Sequence, residues 1–335
     1  MPLDVSVIIV TYNSEKDIRG CLESVFKECD HVSQQVIVLD NNSSDRTAAI
    51  VREEFPQVKL LIPDSNLGFA GGNNEASRHA NGEFLLLLNP DTMILRHAID
   101  RVVDFARAHP GHGLYGGRTL KVDGSLEPSS CWGLPGLWSL SMFATGLSTL
   151  FRNHPIFDPE SLGSWKRDNV REVGVITGCF LLTKNDFWKQ LGGFDERFFM
   201  YGEDTDLSLR CRRAGCRPII CPDAELVHAI GRSSSQPIHK AVLLYTGKAE
   251  YIRRRWNSPL QALALVLLAT GVRLRAFGAQ ASRVFGRSPA SPWVELWMRR
   301  KEWLCGYGPM RTETPSARPN PPTAHTESGN LKAET

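Results

Sequence analysis

Phe84-Leu85-Leu86-Leu87-Leu88-Asn89-Pro90-Asp91-Thr92 is the stretch that decides the fold class of this chain. Its apolar run, bounded by Gly82 and Pro90, predicts a strand that is buried on both faces, as in a parallel sheet. Asn89 and Asp91 follow at the carboxyl end of that strand, where open α/β sheets bind their ligands. Because they flank Pro90 in an extended segment, their side chains can point to the same side.

The chemistry of Asn89 and Asp91 suits a hard cation. A carboxylate and an amide can hold Mg²⁺ or Mn²⁺, with phosphate oxygens and water in the other positions. An isolated Asn-x-Asp is often only a turn, whereas its place after a buried strand favours a metal site. Asp91 is therefore the first candidate ligand.

Strand and helix patterns alternate through the first half of the chain. Predicted strands cover residues 5–10, 36–39, 58–62 and 84–88, and predicted helices cover residues 14–28, 44–54 and 74–81. This alternation indicates an α/β fold class with a mostly parallel sheet flanked by crossover helices. The strands end in polar residues, namely Asn13, Asp40, Asn66 and Asp91. Polar endings along one sheet edge favour a binding cleft over packing.

The middle of the chain is harder to interpret. Residues 113–169 are rich in Gly and Pro and contain three tryptophans, which predicts long loops and one apolar helix near Trp138 to Leu150. The loops could form a lid or substrate loop, or the tryptophans could simply close the core. Strands are expected again within residues 173–183 and 218–221.

Composition limits the class of protein. The chain has 335 residues, of which 42% are hydrophobic and 22% charged, as expected for one large α/β domain with an appendage. A net charge of +3 gives no reason to expect a nucleic-acid partner. Cys211, Cys216 and Cys221 are evenly spaced, but no CxxC pair occurs, so free buried thiols are favoured over a zinc site. Without a disulfide framework, a reducing cytoplasm fits.

The C-terminal third combines basic and apolar sequence. Residues 248–301 contain eleven Lys or Arg and two Glu, a local charge of +9. The longest apolar run, Ala262 to Ala269, is shorter than the roughly 20 residues that span a bilayer. These features predict a helix lying on an anionic membrane surface, with an ordinary basic face as the alternative. No signal peptide is visible at the N-terminus.

The chain is accordingly divided into three parts. Residues 1–232 form the α/β domain, residues 233–305 form a basic and apolar helical region, and residues 306–335 form a tail. Five prolines and few apolar residues predict that this tail is disordered.

Two further positions are chemical candidates. Glu203-Asp204 precedes a predicted helix, where carboxylates often serve only as caps. The functional interpretation is a general base that removes a proton from an attacking hydroxyl. Asp206 and Arg210 are spaced as a structural ion pair. His228 follows a strand and precedes the polar loop 231–235, which could meet the same cleft, although a lone histidine is usually structural.

Asp40 ends the second strand and could accept a hydrogen bond from a nucleobase N–H. It could equally cap the next helix, a task that Ser43, Ser44 or Asp45 could also perform. The amide-rich loop 66–74 is not a GxGxxG fingerprint, and the sequence contains no P-loop, GxSxG or zinc-protease motif.

In order along the chain, these pieces resemble the family 2 glycosyltransferases, which have the GT-A fold. The resemblance spans residues 5–232 and is closest to the rhamnosyltransferase-like branch that builds bacterial cell-surface polysaccharides. The matching pieces are Val-Ile-Ile-Val-Thr-Tyr-Asn13, Val-Leu-Asp-Asn-Asn-Ser-Ser-Asp45, Asn-Leu-Gly-Phe-Ala-Gly-Gly-Asn-Asn74, Leu-Leu-Asn-Pro-Asp-Thr92, Gly-Gly-Phe-Asp-Glu-Arg-Phe-Phe-Met-Tyr-Gly-Glu-Asp-Thr-Asp-Leu207 and His228.

The resemblance implies roles for residues at matching positions. Asn89-Pro90-Asp91 stands where the family has its metal-binding Asp-x-Asp, so Asp91 should provide most of the metal contact, with His228 completing the shell. Asp204 matches the catalytic base of the inverting reaction, with Glu203 in support. The donor-binding set is Thr11, Asn13, Asp40, Asn66, Gly68, Asn74 and Asn89.

One departure from a related motif selects the subtype. Processive synthases have Gln-x-x-Arg-Trp and transmembrane helices, whereas this chain has Arg255-Trp256 with Ile252 in the Gln position, and no spanning helix is expected. The expected activity is an inverting, metal-dependent single addition from a nucleotide-sugar, with dTDP-L-rhamnose first and a UDP-hexose second. The expected acceptor is a saccharide or lipid-linked saccharide, at the cytoplasmic face of the cell membrane.

Two other classes are less favoured. A sugar nucleotidyltransferase should open with a Gly-rich, Arg-containing loop, which is absent from Thr11-Tyr12-Asn13-Ser14. A non-catalytic nucleotide- or glycan-binding protein would typically lose Asp91 or Asp204, and both are present.

Overall fold

The computed structural model of the protein describes residues 3–228, 237–284 and 291–308. Its strands are β1 Val5–Thr11, β2 Gln34–Asp40, β3 Lys59–Leu61, β4 Phe84–Leu88, β5 Thr92–Ile94, β6 Leu114–Leu120, β7 Cys131–Trp132, β8 Arg171–Glu172, β9 Val175–Ile176, β10 Phe180–Lys184 and β11 Ile219–His228. Its helices are α1 Ile18–Lys27, α2 Thr47–Glu54, α3 Gly68–Ser77, α4 Ala98–Ala108, α5 Leu137–Ala144, α6 Leu147–Leu150, α7 Asn185–Leu191, α8 Glu203–Arg213, α9 Pro237–Arg255, α10 Ser258–Val284, α11 Pro292–Met298 and α12 Arg300–Leu304.

The main sheet of the described residues has nine strands in the order β3-β2-β1-β4-β10-β6-β11-β5, with β8 also paired to β11. β3, β2, β1 and β4 are parallel, and β6 and β11 are parallel to each other. β10 lies antiparallel between β4 and β6, and β5 is antiparallel to β11. The predicted mostly parallel α/β sheet is thus confirmed.

Alternating side chains of the central strands fill two separate cores. Val7 and Ile9 of β1 face the core closed by α1, α2 and α4, whereas Ile8 and Val10 face the core closed by α3, α7 and α8. Every residue of β1 and β4 is buried, which explains their unbroken apolar sequences. The molecule therefore has helices on both faces of the sheet.

The predicted loop region, residues 113–169, contains strand β6, which the sequence pattern did not predict. Gly116 and Gly117, which are weak strand formers, occupy the centre of β6, and for this reason its sequence did not indicate a strand. Both glycines are required by packing, since a Cβ on Gly116 would lie 2.9 Å from Ile176 and a Cβ on Gly117 would clash with the carbonyl of Ala224. The helix predicted at residues 74–81 begins earlier, at Gly68.

The cysteines follow the prediction of free buried thiols. All eight are free, and no group of three or more His, Cys, Asp or Glu among the described residues could hold a metal. Burial raises the pKa of Cys211 to about 12 and that of Cys221 to about 11, so both thiols stay protonated.

The C-terminal helices form a third core together with α5, centred on Tyr245, Leu268 and Trp303. The described residues include 306–308, at the start of the predicted tail. There the backbone N–H of Tyr307 donates to Glu250, and the Tyr307 hydroxyl donates to the carbonyl of Met200. The rest of the predicted tail, residues 309–335, and the domain boundary near residue 232 lie outside the described residues.

The apolar segment of this region is longer than the run 262–269 on which the sequence prediction was based. The segment Ser258–Ser282 of α10 has a mean hydropathy of 1.6 and is long and apolar enough to cross a membrane by length and composition. The apolar run 262–269 is extended on both sides by small and apolar residues, and Arg273 and Arg275 are the only charged residues within Ser258–Ser282.

Candidate active site

The carboxyl ends of the parallel strands meet at one edge of the sheet. Thr11 at the end of β1 is in register with Asp40 at the end of β2, and Ile9 is in register with Leu88 at the end of β4. β11 ends at the same edge, because β10 is antiparallel to both β4 and β6. The polar residues that follow these strands are therefore neighbours, as expected.

Asp91 and His228 lie in contact at this edge. His228, the last residue of β11, is paired with Thr92 of β5, which brings its Nε2 to 3.3 Å from Oδ1 of Asp91. The two side chains are 10% and 11% exposed. Oγ of Ser129 lies 3.3 Å from Nδ1 of the same imidazole and so fixes the orientation of the ring. The polar loop 231–235 lies outside the described residues.

This pair fits a divalent cation that takes only part of its shell from the protein. A carboxylate oxygen and an imidazole nitrogen lie side by side and keep some exposure, so phosphate oxygens and water can supply the other ligands. Asn89, also partly exposed, precedes Asp91 at the same edge.

Glu203 and Asp204 open helix α8 directly after Gly202. The backbone N–H of Thr205 donates to Oδ1 of Asp204 at 2.7 Å, and burial nevertheless raises the pKa of Asp204 to about 6. Glu203 is only 4% exposed, its Oε2 has no hydrogen-bond partner, and burial raises its pKa well above the ordinary value. Burial therefore favours the neutral form of Glu203 more strongly than that of Asp204.

The short segment Thr177-Gly178-Cys179 joins the two parts of the site. The carbonyl of Cys179 accepts from the backbone N–H of Asn89, while the backbone of Gly178 hydrogen-bonds Asp204. Thr177 Oγ1 donates to the carbonyl of Ser129 at 2.8 Å. One segment thus contacts the residues beside Asp91, the catalytic candidate Asp204 and the residue that orients His228.

The buried groups between these carboxylates respond to both of them. Burial raises the pKa of the Cys179 thiol to about 12, and the nearby charges of Asp91 and Asp204 raise it further. The pKa of Tyr201 is likewise raised to about 12 by burial and by Glu203, Asp91 and Asp204. Asp91 and Asp204 therefore belong to one electrostatic environment.

Three of the predicted donor-binding residues lie together at the ends of β1 and β2. Asp40 accepts from the backbone N–H of Ser43 at 2.9 Å and from its hydroxyl at 2.6 Å, so its carboxylate orders the turn after β2. Asn13, at φ 51°, accepts from the backbone N–H of Ser44 at 2.8 Å. Oγ1 of Thr11 is buried and has no partner.

The loop before α3 lies beside this group. Asn66 accepts from the backbone N–H of Gly68 at 2.8 Å, and Gly68, at φ +73°, lies so close to Phe199 that a Cβ would clash. Asn41 holds the loop by accepting from Leu67 and donating to the carbonyl of Gly68. Asn66 and Gly68 are thus held next to β2.

Asn74 is placed differently from the other predicted donor-binding residues. Its amide donates to the carbonyl of Phe194 at 2.9 Å and to Glu196 at 3.0 Å, and its Oδ1 accepts from the backbone N–H of Phe194. These contacts hold α3 against the turn at Gly193, so the Asn74 side chain has a structural role in packing.

Sequence reasoning assigned no role to three features of the site. Tyr12 is 52% exposed between Thr11 and Asn13, although exposed aromatic rings are uncommon at buried strand ends. Ser129 and the segment 177–179 were also missed. Gly178 within a strand-like run was the available signal, because an isolated glycine there often marks a close backbone approach.

Comparison with known proteins identifies the relatives of this chain. Residues 6–163 match the family model described as Glycosyl transferase family 2. The N-acetylglucosaminyl-diphospho-decaprenol L-rhamnosyltransferase of Mycobacterium tuberculosis is 29% identical over 276 residues, which are 76% of this chain and 87% of the relative. The rhamnosyltransferase WbbL of Escherichia coli K12 is 29% identical over 236 residues, which are 67% of this chain and 83% of the relative.

A solved structure shares the fold. The mannosyltransferase PcManGT from Pyrobaculum calidifontis, in complex with GDP-Man and Mn²⁺, has a TM-score of 0.54 and 19% identity, covering 90% of this chain and 81% of that chain. At this identity the likeness shows the fold alone, which is the GT-A type that the sequence predicted. The family match includes Thr11, Asp40 and Asp91 at the sheet edge. The family match over residues 6–163 and these relatives support a family 2, rhamnosyltransferase-like glycosyltransferase, an enzyme of the hexosyltransferase class.

Proposed function

We propose that the enzyme transfers one L-rhamnosyl group from dTDP-L-rhamnose to a lipid-linked saccharide, with inversion at the anomeric carbon and dependence on a divalent metal. The observation that supports this most is the joining of Asp204 to the Asp91–His228 pair through residues 177–179. A base and a metal-binding pair, both contacted by one short segment, are the two chemical groups that such a transfer needs.

Asp204 is proposed as the general base. A pKa of about 6 leaves it mostly ionised at neutral pH yet basic enough to accept a proton from an acceptor hydroxyl. That oxygen attacks the anomeric carbon from the face opposite the diphosphate. The bond to the diphosphate breaks as the new bond forms, so the configuration is inverted. Burial raises the pKa of Glu203 and so favours its neutral form, which adds no second negative charge next to Asp204.

Asp91 and His228 would hold Mg²⁺ or Mn²⁺ in this proposal. The ion, when bound, neutralises negative charge on the diphosphate leaving group. No second carboxylic acid is needed to protonate the leaving group, in contrast to glycoside hydrolysis. Ser129 keeps Nε2 of His228 directed toward Asp91.

The nucleotide is proposed to bind at the ends of β1 and β2. The carboxylate of Asp40 has lone pairs beyond those used by Ser43 and can accept from a base N–H, while the exposed ring of Tyr12 offers a face on which a base can stack. Asn13, Asn66, Gly68 and Asn89 line the same edge, with Thr11 buried beneath it. Asn74 keeps the packing role that its contacts give it.

The acceptor class is supported by a relative. The M. tuberculosis enzyme is named as a rhamnosyltransferase acting on N-acetylglucosaminyl-diphospho-decaprenol, and we infer a comparable lipid-linked saccharide here. The inferred setting is the cytoplasmic face of the membrane, where eight free cysteines would stay reduced. A UDP-hexose donor is the second candidate, since a few pocket contacts decide the sugar.

A donor screen by thermal shift tests the nucleotide and sugar. With Mn²⁺ present, dTDP-L-rhamnose should raise the melting temperature more than UDP-glucose, UDP-GlcNAc or GDP-mannose at equal concentration. Wild-type protein without metal, and the Asp91→Asn variant with metal, serve as controls and should respond less. A larger shift with a UDP-hexose would replace the dTDP-L-rhamnose assignment, and no shift with any nucleotide-sugar would count against the donor site.

A further inference from the structure

The outward side of α10 is apolar along most of its length. Leu260, Leu263, Val266, Leu274 and Phe277 are between 43% and 69% exposed. With exposed Thr270 between them, these positions are three to four residues apart and form one stripe along the helix. Scattered apolar residues are normal at a surface, whereas a continuous stripe of large ones indicates a binding face.

The buried side of α10 is made mainly of smaller residues. Ala264, Leu268, Val272 and Ala276 repeat every four residues and are 0–4% exposed. Gly271 packs against Phe143 so closely that a Cβ would clash with its ring. A helix that only closes a core should bury its largest apolar side chains. α10 instead leaves Phe277 and three leucines facing outward.

The neighbouring helix α6 and the residue after it extend the stripe. A Cβ on Gly146 would lie 3.2 Å from Leu274, and Arg275 donates to Oγ1 of Thr149 at 2.6 Å, so α6 lies beside α10. Leu150, at the end of α6, is 74% exposed, and Phe151 is 43% exposed. We call the five exposed apolar residues of α10, together with Leu150 and Phe151, the α10 face.

The charged residues on α10, and several beside the α10 face, are basic. Residues 258–284 contain no Asp or Glu. Arg273 beside the stripe and Arg152 after Phe151 are exposed, and Arg253 and Arg254 are exposed just before α10 begins. An apolar surface with a basic rim is complementary to an anionic lipid headgroup layer above hydrocarbon.

The packing of α10 favours docking over spanning. Its buried side is fixed to α5, where Arg275 donates to the carbonyl of Phe143 at 2.8 Å and stacks 3.8 Å from the Phe143 ring centroid. If α10 crossed the bilayer, Arg273, Arg275 and the loop ends of α5 would enter hydrocarbon, where unpaired polar groups are costly. We propose that the α10 face docks on an anionic bilayer surface and lies within its interface.

Vesicle flotation with the full chain tests this docking. At low salt, the wild-type protein should float with vesicles that contain about 30% phosphatidylglycerol in phosphatidylcholine, and much less with phosphatidylcholine alone. The triple variant Leu263→Gln, Val266→Gln, Phe277→Gln should bind on the order of tenfold more weakly, because it removes apolar area that would enter the interface. A triple control, Ile62→Gln, Val122→Gln, Val170→Gln, changes residues that are 45–76% exposed elsewhere and should bind as wild type does.

Three results would overturn the proposal. The first is a wild-type protein that does not float, and the second is a triple variant that floats as well as wild type. The third is wild-type protein that stays with the membrane after alkaline carbonate extraction, which would indicate a spanning helix. Donor binding in the thermal-shift screen is measured without lipid, so loss of docking and failure of the proposed activity remain distinguishable.

Discussion

Asp204 and Glu203 are adjacent in sequence, but their surroundings suit them to different tasks. Asp204 keeps a backbone hydrogen bond from Thr205 and partial exposure, and its pKa of about 6 suits a base. Glu203 is 4% exposed with an unpartnered Oε2, which favours its neutral form. Burial depth, which sequence alone does not give, separates the two roles.

A pair of isosteric substitutions tests this division. Asp204→Asn should lower kcat by about 10²–10⁴-fold, because the amide cannot accept the proton of the acceptor hydroxyl. Glu203→Gln should change kcat by only a few-fold, because burial raises the pKa of this carboxyl and favours its neutral form. Single-turnover kinetics with saturating donor measures both. A larger loss in Glu203→Gln than in Asp204→Asn would reverse the assignment.

The pH dependence of turnover follows from the same carboxylate. The base must be ionised, so kcat should rise with pH and level off above about 6, the raised pKa of Asp204. The rise should disappear in the residual activity of Asp204→Asn. A kcat that is flat between pH 5 and pH 7 in the wild type would contradict the assignment.

The raised pKa also has a consequence for stability. Between the ordinary pKa of 3.8 and the folded value of about 6, the folded state binds more proton than the unfolded state. This group therefore lowers the free energy of unfolding as pH rises through that window. Asp204→Asn should accordingly raise the melting temperature at pH 7 relative to wild type, and this gain should vanish below about pH 4. Calorimetry at both pH values measures it.

The metal-binding pair gives a separate prediction. Asp91→Asn and His228→Ala should each weaken Mn²⁺ binding in the presence of dTDP by roughly 10-fold or more, because each removes one protein ligand. Ser129→Ala should weaken it less, since Ser129 only orients the imidazole. Electron paramagnetic resonance of free Mn²⁺ gives the affinities, and equal affinity in wild type and Asp91→Asn would contradict the site.

At the scale of elements, the sequence predicted the strands and helices that are determined by their own residues. β4 was predicted with its observed bounds because an all-apolar run between breakers has one simple interpretation. β6 was missed because Gly116 and Gly117 are required by neighbours distant in sequence, Ile176 and Ala224. Residues 177–179 were assigned to a strand for the same reason, since their contacts with Asn89 and Asp204 depend on tertiary structure.

The junction of α8 and α9 is an element-scale feature that can be measured. Arg255 at the end of α9 pairs with the fully buried Asp206 of α8. Nη2 of Arg255 lies 3.4 Å from Oδ2 of Asp195. Arg255→Met should lower the free energy of unfolding by about 2 kcal/mol, less than for a fully broken buried pair because Arg210 still neutralises Asp206.

The matched control for this junction is Arg253→Met. The side chain of Arg253 is exposed, and among its described contacts it donates only to the carbonyl of Leu304, so its loss should cost about 0.5 kcal/mol or less. Urea denaturation compares the two variants. Equal stability of Arg255→Met and Arg253→Met would show that the ion pairs do not couple α9 to α8.

At the scale of the whole molecule, strand–helix alternation was sufficient to predict a mostly parallel α/β sheet, and the resemblance of the ordered motifs to family 2 glycosyltransferases predicted the GT-A fold. The antiparallel insertion of β10 between β4 and β6 was not predictable, because nothing in an apolar strand sequence states its direction. The apolar segment of α10 was underestimated because only its purely apolar run, 262–269, was counted, whereas small residues and two arginines continue the helix.

The central claim is tested most directly by measuring dTDP release from dTDP-L-rhamnose, with and without a lipid-linked GlcNAc diphosphate acceptor. We predict release that requires the acceptor and a divalent metal, falls about 10²–10⁴-fold in Asp204→Asn, and yields a product whose anomeric configuration by NMR is opposite to that of the donor. Acceptor-dependent release that is unchanged in Asp204→Asn, or a product with retained configuration, would contradict the account.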